Sequence, residues 1–274
     1  MMDEKQKDKA ENKNNPFTQV FSTSLDDSSD IEQFIRQKYK SRTLVEKLGS
    51  RFQVSYNKGC NIMNDDVREF KEAVALANNS DLVIMTLGGN CGWANCTGGE
   101  GKDRCNLDLP GVQQQLIDAV AQTGKDIVLI LYGPGQYAPH SADNVKAVIN
   151  AWLTGAYGGA AIAKILCGEV NPSGKLPVTM PRNVGQVPIF YNHKVGSRYK
   201  QVIEKSGINM TPIFAGGYVD GEDTPLFPFG FGLSYTSFEI SDVVFESKKV
   251  ATDGIITCSC AIRNIGEIAG DEVV

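Results

Sequence analysis

The sequence predicts an α/β fold: a doubly wound, mainly parallel sheet sandwiched by helices, followed by a truncated β-sandwich-like tail. Three observations carry that expectation. Residues 82–85 (LVIM) and 127–131 (IVLIL) are continuous apolar runs, as strands are when both faces of a sheet are covered. Segments with helical spacing alternate with them, which is the rhythm of parallel crossover units. Beyond Gly168 the texture changes to proline- and glycine-rich stretches, and then to two alternating runs at 240–245 and 255–262 that read as antiparallel strands. The expected division is a disordered or linker segment over 1–40, the sandwich over 41–238 and the tail over 239–274.

The first fifteen residues are rich in Lys, Glu and Asn, with almost nothing apolar to bury. Residues 16–30 read as a Ser/Thr/Asp-rich linker in which Phe17 and Phe21 dock locally. Asp30 is placed to cap a helix through Ile31, Phe34, Ile35 and Tyr39, and Leu44, Val45 and Leu48 mark another. Residues 52–56 alternate like a short strand that ends at Lys58-Gly59. Asp65 or Asp66 is expected to cap a helix whose apolar face is Val67, Phe70, Val74, Leu76 and Ala77, with Asn78-Asn79-Ser80 as its stop. A strand over 81–87 follows. Pro110 sits at the start of a helix carrying Val112, Leu116, Ile117 and Val120, and Gly124 closes it. A strand over 145–152 and a helix over 160–166, opened by Gly158-Gly159, complete the α/β unit.

Between the 81–87 strand and the Pro110 helix lies GGNCGWANCTGGEGKDR, residues 88–104. A long glycine-rich loop leaving the carboxyl end of a strand is where open α/β sheets place ligands. Its glycines lift Glu100 away from the body, and Trp93 offers an aromatic face. A phosphate-binding P-loop fails here, because Asp103 follows Gly101-Lys102 and Cys96 stands at the first glycine position. GPGQYA at 133–138 is a weak dinucleotide match, broken by Pro134 and followed by no clean helix. The remaining chemistry is that of a carboxylic acid: glycoside hydrolysis needs one carboxyl group to protonate the leaving oxygen and a second to act as nucleophile or base. Composition alone favours a blander reading, a solvated ion pair of Glu100 with Lys102 and Arg104 and a Trp93 packed on its own domain.

The balance of the chain excludes other classes. A net charge of −5, without basic clusters beyond the N-terminus, supports neither a nucleic-acid nor an anionic-membrane partner. No run approaches a membrane span, and the N-terminus carries no secretory h-region, so the chain is read as cytosolic. Seven cysteines and two histidines, His140 and His193, match no common metal pattern, so neither metal nor cofactor is expected. Cys91, Cys96 and Cys105 share the central loop and are expected as free thiols, and Cys258 and Cys260 fall on one side of a strand.

Taken together, TGGEGKDR (97–104), LDLPGVQQQLIDAV (107–120), GAYGGAAIAKILCGEVNPSGKLPVTMP (155–181) and PLFPFGFGLSYTSF (225–238) resemble the C-terminal sandwich domain of the family 3 glycoside hydrolases, of β-glucosidase and β-xylosidase type. VGQVPIFYNHK (184–194) and TLVEKLGSRFQVSYNKGCNI (43–62) agree, while the stretch before Thr43 looks unlike the family. The residues after Ile240 resemble the opening strands of a fibronectin type III-like domain. The resemblance implies a retaining β-glycosidase acting on terminal β-linked sugars, with Glu100 as its acid/base. It sets Trp93, Asp103 and Arg104 beside the substrate, the last two also holding the loop's shape or charge balance. The family's nucleophile is an aspartate in a (β/α)8 barrel, commonly within an S-D-W-like segment that does not occur here. The implied partners are therefore a β-glycoside or oligosaccharide and a barrel that supplies the attacking group. The competing expectation is a carbohydrate- or partner-binding module without catalytic duty.

Overall fold

The computed structural model describes residues 19–22, 44–91, 96–139, 144–192, 218, 220–222, 224–247 and 249–274. The helix expected near Ile31, the disorder expected over the first fifteen residues, Trp93, His140 and His193 lie outside them.

Five strands form one parallel sheet: β1 (Gln19–Ser22), β2 (Ser55–Asn57), β3 (Val83–Gly88), β4 (Ile127–Tyr132) and β5 (Val145–Trp152), in the order β2-β1-β3-β4-β5. Strand order reverses beside β1, which is a topological switch point, and β3 emerges next to it. The chain read as linker over 16–30 thus contributes a strand near the centre of the sheet. Four residues flanked by polar sequence carry no periodic signal, and their pairing is set by neighbours on both sides, Ser55–Asn57 and Val83–Thr86.

Alternation along β3 and β4 sorts the helices. Val83, Met85, Leu87, Ile127, Leu129 and Leu131 face α2 (Phe70–Asn78) and α3 (Gln113–Ala121), whose Ala73, Ala77, Leu116, Ile117 and Val120 are sealed against them. Ile84 and Ile130 point the other way, into a second core with Leu44 and Leu48 of α1 (Leu44–Gly49) and Ile162 and Ala163 of α4 (Gly158–Leu166). Both faces of the sheet are therefore covered, which is why β3 and β4 read as unbroken apolar runs. The helix expected to be capped by Asp65 or Asp66 begins later, after Glu69, with no side-chain cap. Asp66 is instead engaged by Arg68, through the backbone N–H at 3.1 Å and the guanidinium at 2.6 Å, which holds its carboxyl down to about 2. Pro110 leads into α3 through a turn, and the helix itself starts three residues later. Among the described residues no helix is long and apolar enough to cross a membrane.

The tail is β6 (Phe238–Phe245) paired antiparallel with β7 (Cys258–Asn264). Its residues are exposed along nearly its whole length, Val243, Phe245 and Ile262 included. It is tied to the α/β body by Lys175, whose ammonium donates to the Gly232 carbonyl at 2.9 Å and pairs with Glu272 at 3.0 Å. Asn171 adds a donor to Ala269 O and accepts from Ser234 and from the Tyr235 N–H.

Candidate active-site loop

The loop after β3 has a bonded stem and an unpartnered tip. The stem begins at Gly88, where φ is 130° and where a Cβ would stand 1.7 Å from the Tyr132 carbonyl oxygen. Only glycine fits so close a backbone approach. The next N–H, of Gly89, donates to that same carbonyl at 2.8 Å, so the loop departs pinned to the end of β4.

On the other side of Gly88 stands Gln113, the first residue of α3, which is wholly buried. Its Oε1 accepts the Gly88 N–H at 2.6 Å, and its Nε2 donates to Gly88 O at 2.6 Å and to Ile62 O at 3.1 Å. Thr97 clasps Asn90. Its N–H and hydroxyl both donate to Asn90 O, each at 3.1 Å, and its Oγ1 accepts the Asn90 N–H at 3.0 Å. The buried Tyr137 hydroxyl lies 3.4 Å from Thr97 Oγ1.

The tip is a tight turn, Gly99-Glu100-Gly101-Lys102, closed by the Lys102 N–H donating to Gly99 O at 3.0 Å. Gly101 takes φ 66° there, the left-handed conformation the turn requires and glycine supplies without strain. Glu100 sits at the corner, exposed. Among the described residues its carboxylate has no hydrogen-bond or ion-pair partner, and neither has that of Asp103. The ion pair of Glu100 with Lys102 or Arg104 is not formed. Arg104 turns away to brace the loop's exit, donating to Asn106 Oδ1 at 3.0 Å and to the Asp108 carbonyl, with its guanidinium 5.4 Å from the centre of the Tyr137 ring.

Of the residues singled out in the sequence, the structure brings Asp103 and Arg104 together, with Lys102, Asn106 and Gln114, along an open groove of about 670 Å³. Glu100 stands outside its lining. Arg104 braces the loop's exit through Asn106 and Asp108. Gln113, Thr97 and Tyr137 were not singled out, yet they hold the stem. For Gln113 a signal existed: it stands at the i position of the i, i+3, i+4, i+7 series completed by Leu116, Ile117 and Val120. All seven cysteines are free thiols, and among the described residues no three His, Cys, Asp or Glu side chains converge as a metal site.

What this arrangement offers chemically is two carboxyl groups, Glu100 and Asp103, at the tip of an anchored loop and without partners among the described residues. The comparisons with known proteins agree with such a part. The model of the glycosyl hydrolase family 3 C-terminal domain matches residues 9–235, starting well ahead of Thr43, so the early stretch that looked unlike the family falls within the match. The chain is 37% identical over 235 residues to a β-xylosidase of Formosa agariphila, covering 84% of this chain and 30% of that protein. It is 36% identical over 249 residues to a periplasmic β-glucosidase of Salmonella typhimurium, covering 83% and 31%. Among solved structures, a β-glucosidase from Erythrobacter marinus superposes with a TM-score of 0.69 at 32% identity, over 92% of this chain and 35% of that one. A β-glucosidase from Listeria innocua in complex with isofagomine superposes at 0.70 and 26% identity, over 93% and 35%. The chain thus spans about a third of the length of the relatives it matches. With a family match over most of its length, a doubly wound parallel sheet and a glycine-rich loop at the switch point, this chain belongs to the glycosyl hydrolase family 3 C-terminal domains.

Proposed function

We propose that the chain supplies the acid/base carboxylate, Glu100, of a retaining β-glycosidase of β-glucosidase or β-xylosidase type. The observation that carries this reading is the contrast within the loop: a carboxylate without a partner among the described residues, at the corner of a glycine turn, above a stem anchored at Gly88, Gly89 and Asn90. In the first half-reaction Glu100 gives its proton to the glycosidic oxygen while a carboxylate from a (β/α)8 barrel attacks the anomeric carbon. In the second it takes a proton from the water that releases the sugar. Closing a barrel over the tip would exclude bulk water from the place where the proton is transferred. Asp103 and Lys102 border the groove beside it, and Trp93 is proposed as a stacking platform for the sugar's apolar face.

Hydrolysis of an aryl β-glucoside, measured with the chain alone and with a separately supplied family 3 barrel, tests the proposal. No turnover alone and restored turnover with the barrel are expected. Robust hydrolysis by the chain alone would contradict a half-site.

A second reading, a sugar- or partner-binding module without catalysis, is favoured by one observation. Phe190 and Tyr191 are exposed, and the Tyr191 ring stacks on Phe229 at 4.7 Å between centroids, an aromatic shelf of the kind sugar rings lie on. Calorimetric titration with cellobiose separates the two. Binding that survives Glu100→Gln but is lost in Tyr191→Ala favours the module.

A further inference from the structure

We infer that Gln113 is the positioning residue of the proton-donating loop, its carboxamide taking the place a strand neighbour would hold beside Gly88 at the switch point. This rests on the assignment of Glu100 to that loop. Beta strands are held in line by neighbours on both edges, and among the described residues β3 loses one of them before it ends. Among the described residues the β1 register stops at Ser22 opposite Thr86, short of Gly88, whereas β4 continues to Tyr132 opposite Gly88. Among the described residues no strand pairs with the Gly88 N–H and C=O on the β1 side. Gln113 meets both, at 2.6 Å each, in the reciprocal two-bond pattern of an antiparallel residue pair.

The same side chain reaches Ile62 O with its second N–H, so one carboxamide joins the end of β3, the segment after β2 and the start of α3. Few other side chains could do this. The site needs an acceptor and two donors at the end of a long stem, in a place with no access to water. A carboxylate accepts but cannot donate, and a hydrocarbon does neither. Because Gly88 is also pressed against Tyr132 O, the direction in which the loop leaves the sheet is set from two sides, by β4 and by Gln113. Glu100 inherits that direction twelve residues later, through the Thr97–Asn90 clasp.

Amide hydrogen exchange on the full chain, comparing the parent with Gln113→Leu and Gln113→Glu, tests the assignment. Gln113→Leu is expected to speed exchange across 88–91 and 96–104 by roughly tenfold or more, because a buried backbone pair loses its partners, while α2 and β4 keep their protection. Gln113→Glu carries the sharper readout. At about pH 9 its ionised carboxylate repels Gly88 O and the loop exchanges fast. At about pH 5 the protonated acid again accepts and donates at Gly88, and protection, corrected for intrinsic rates, returns. A residue that merely fills space would show no such pH-dependent recovery. Unchanged loop exchange in Gln113→Leu, or loss of protection everywhere in the chain, overturns the inference, as does a Gln113→Glu loop that ignores pH. With a family 3 barrel added, Gln113→Leu should lower kcat for an aryl β-glucoside and leave KM nearly unchanged. If the parent chain gives no turnover there, the Glu100 assignment fails, and the exchange result still decides Gln113.

Discussion

The stem and the tip of the 88–104 loop are built to opposite rules. The backbone at the foot of the stem is held by named partners: Gly88 by Gln113, Gly89 by Tyr132, and Asn90 by Thr97. At the tip Glu100 and Asp103 have none among the described residues, and the backbone relies on a glycine at φ 66° to turn. A stable loop with no external duty would be expected to satisfy its charges locally, and Arg104 was at hand to do so. Instead Arg104 serves the exit of the loop. Stability is concentrated where direction is set, and the carboxylates are left free where chemistry would occur.

That division can be broken from the stem side first. Gly88→Ala should be the most damaging change, because its Cβ collides with the Tyr132 carbonyl and its φ of 130° is closed to alanine. A loss of about 3 kcal/mol or more is expected in urea unfolding. Thr97→Val keeps the shape but strips the hydroxyl from the clasp, leaving the Asn90 N–H without its acceptor, and should cost about 1–3 kcal/mol by the same measurement. At the tip, Glu100→Gln should change stability by less than about 0.5 kcal/mol, since no partner is lost. A destabilisation as large as that of Thr97→Val would erase the distinction between the two regions.

The thiols sharpen the same contrast. Cys60, packed in the core that α3 closes, is 2% exposed, and burial pushes its thiol up to about 12. Cys91 and Cys105 in the loop are exposed. Iodoacetamide at about pH 8.5 should label the two loop thiols in the native chain and spare Cys60, since alkylation needs the thiolate. The sign of the linkage is that of a raised folded value. Burial of the neutral thiol adds full stability below the unfolded value, and that part fades as pH climbs toward 12, so Cys60 should become reactive only as the fold loosens at strongly alkaline pH.

Much of this architecture was legible in the chain. β3 and β4 announced themselves as unbroken apolar runs because both their faces are covered, and α3 through Leu116, Ile117 and Val120. The family motifs pointed to the loop and to Glu100 within it. What escaped was set by long-range pairing. β1 is four residues whose place depends on two other strands, and Thr97 finds Tyr137 forty residues away. Gln113 was hidden by its type rather than its place: in a QQQ run it looks like surface, although its spacing to Leu116 and Ile117 puts it on the buried face.

The most direct test of the account is the leaving-group dependence of Glu100→Ala in the chain completed by a family 3 barrel. A proton donor matters for poor leaving groups and is dispensable for good ones. With a phenyl β-glucoside the variant should lose roughly a hundredfold or more in kcat/KM, while with a 2,4-dinitrophenyl β-glucoside it should stay within about tenfold of the parent. An equal loss on both substrates, or none on either, would contradict the assignment of Glu100 as the proton donor.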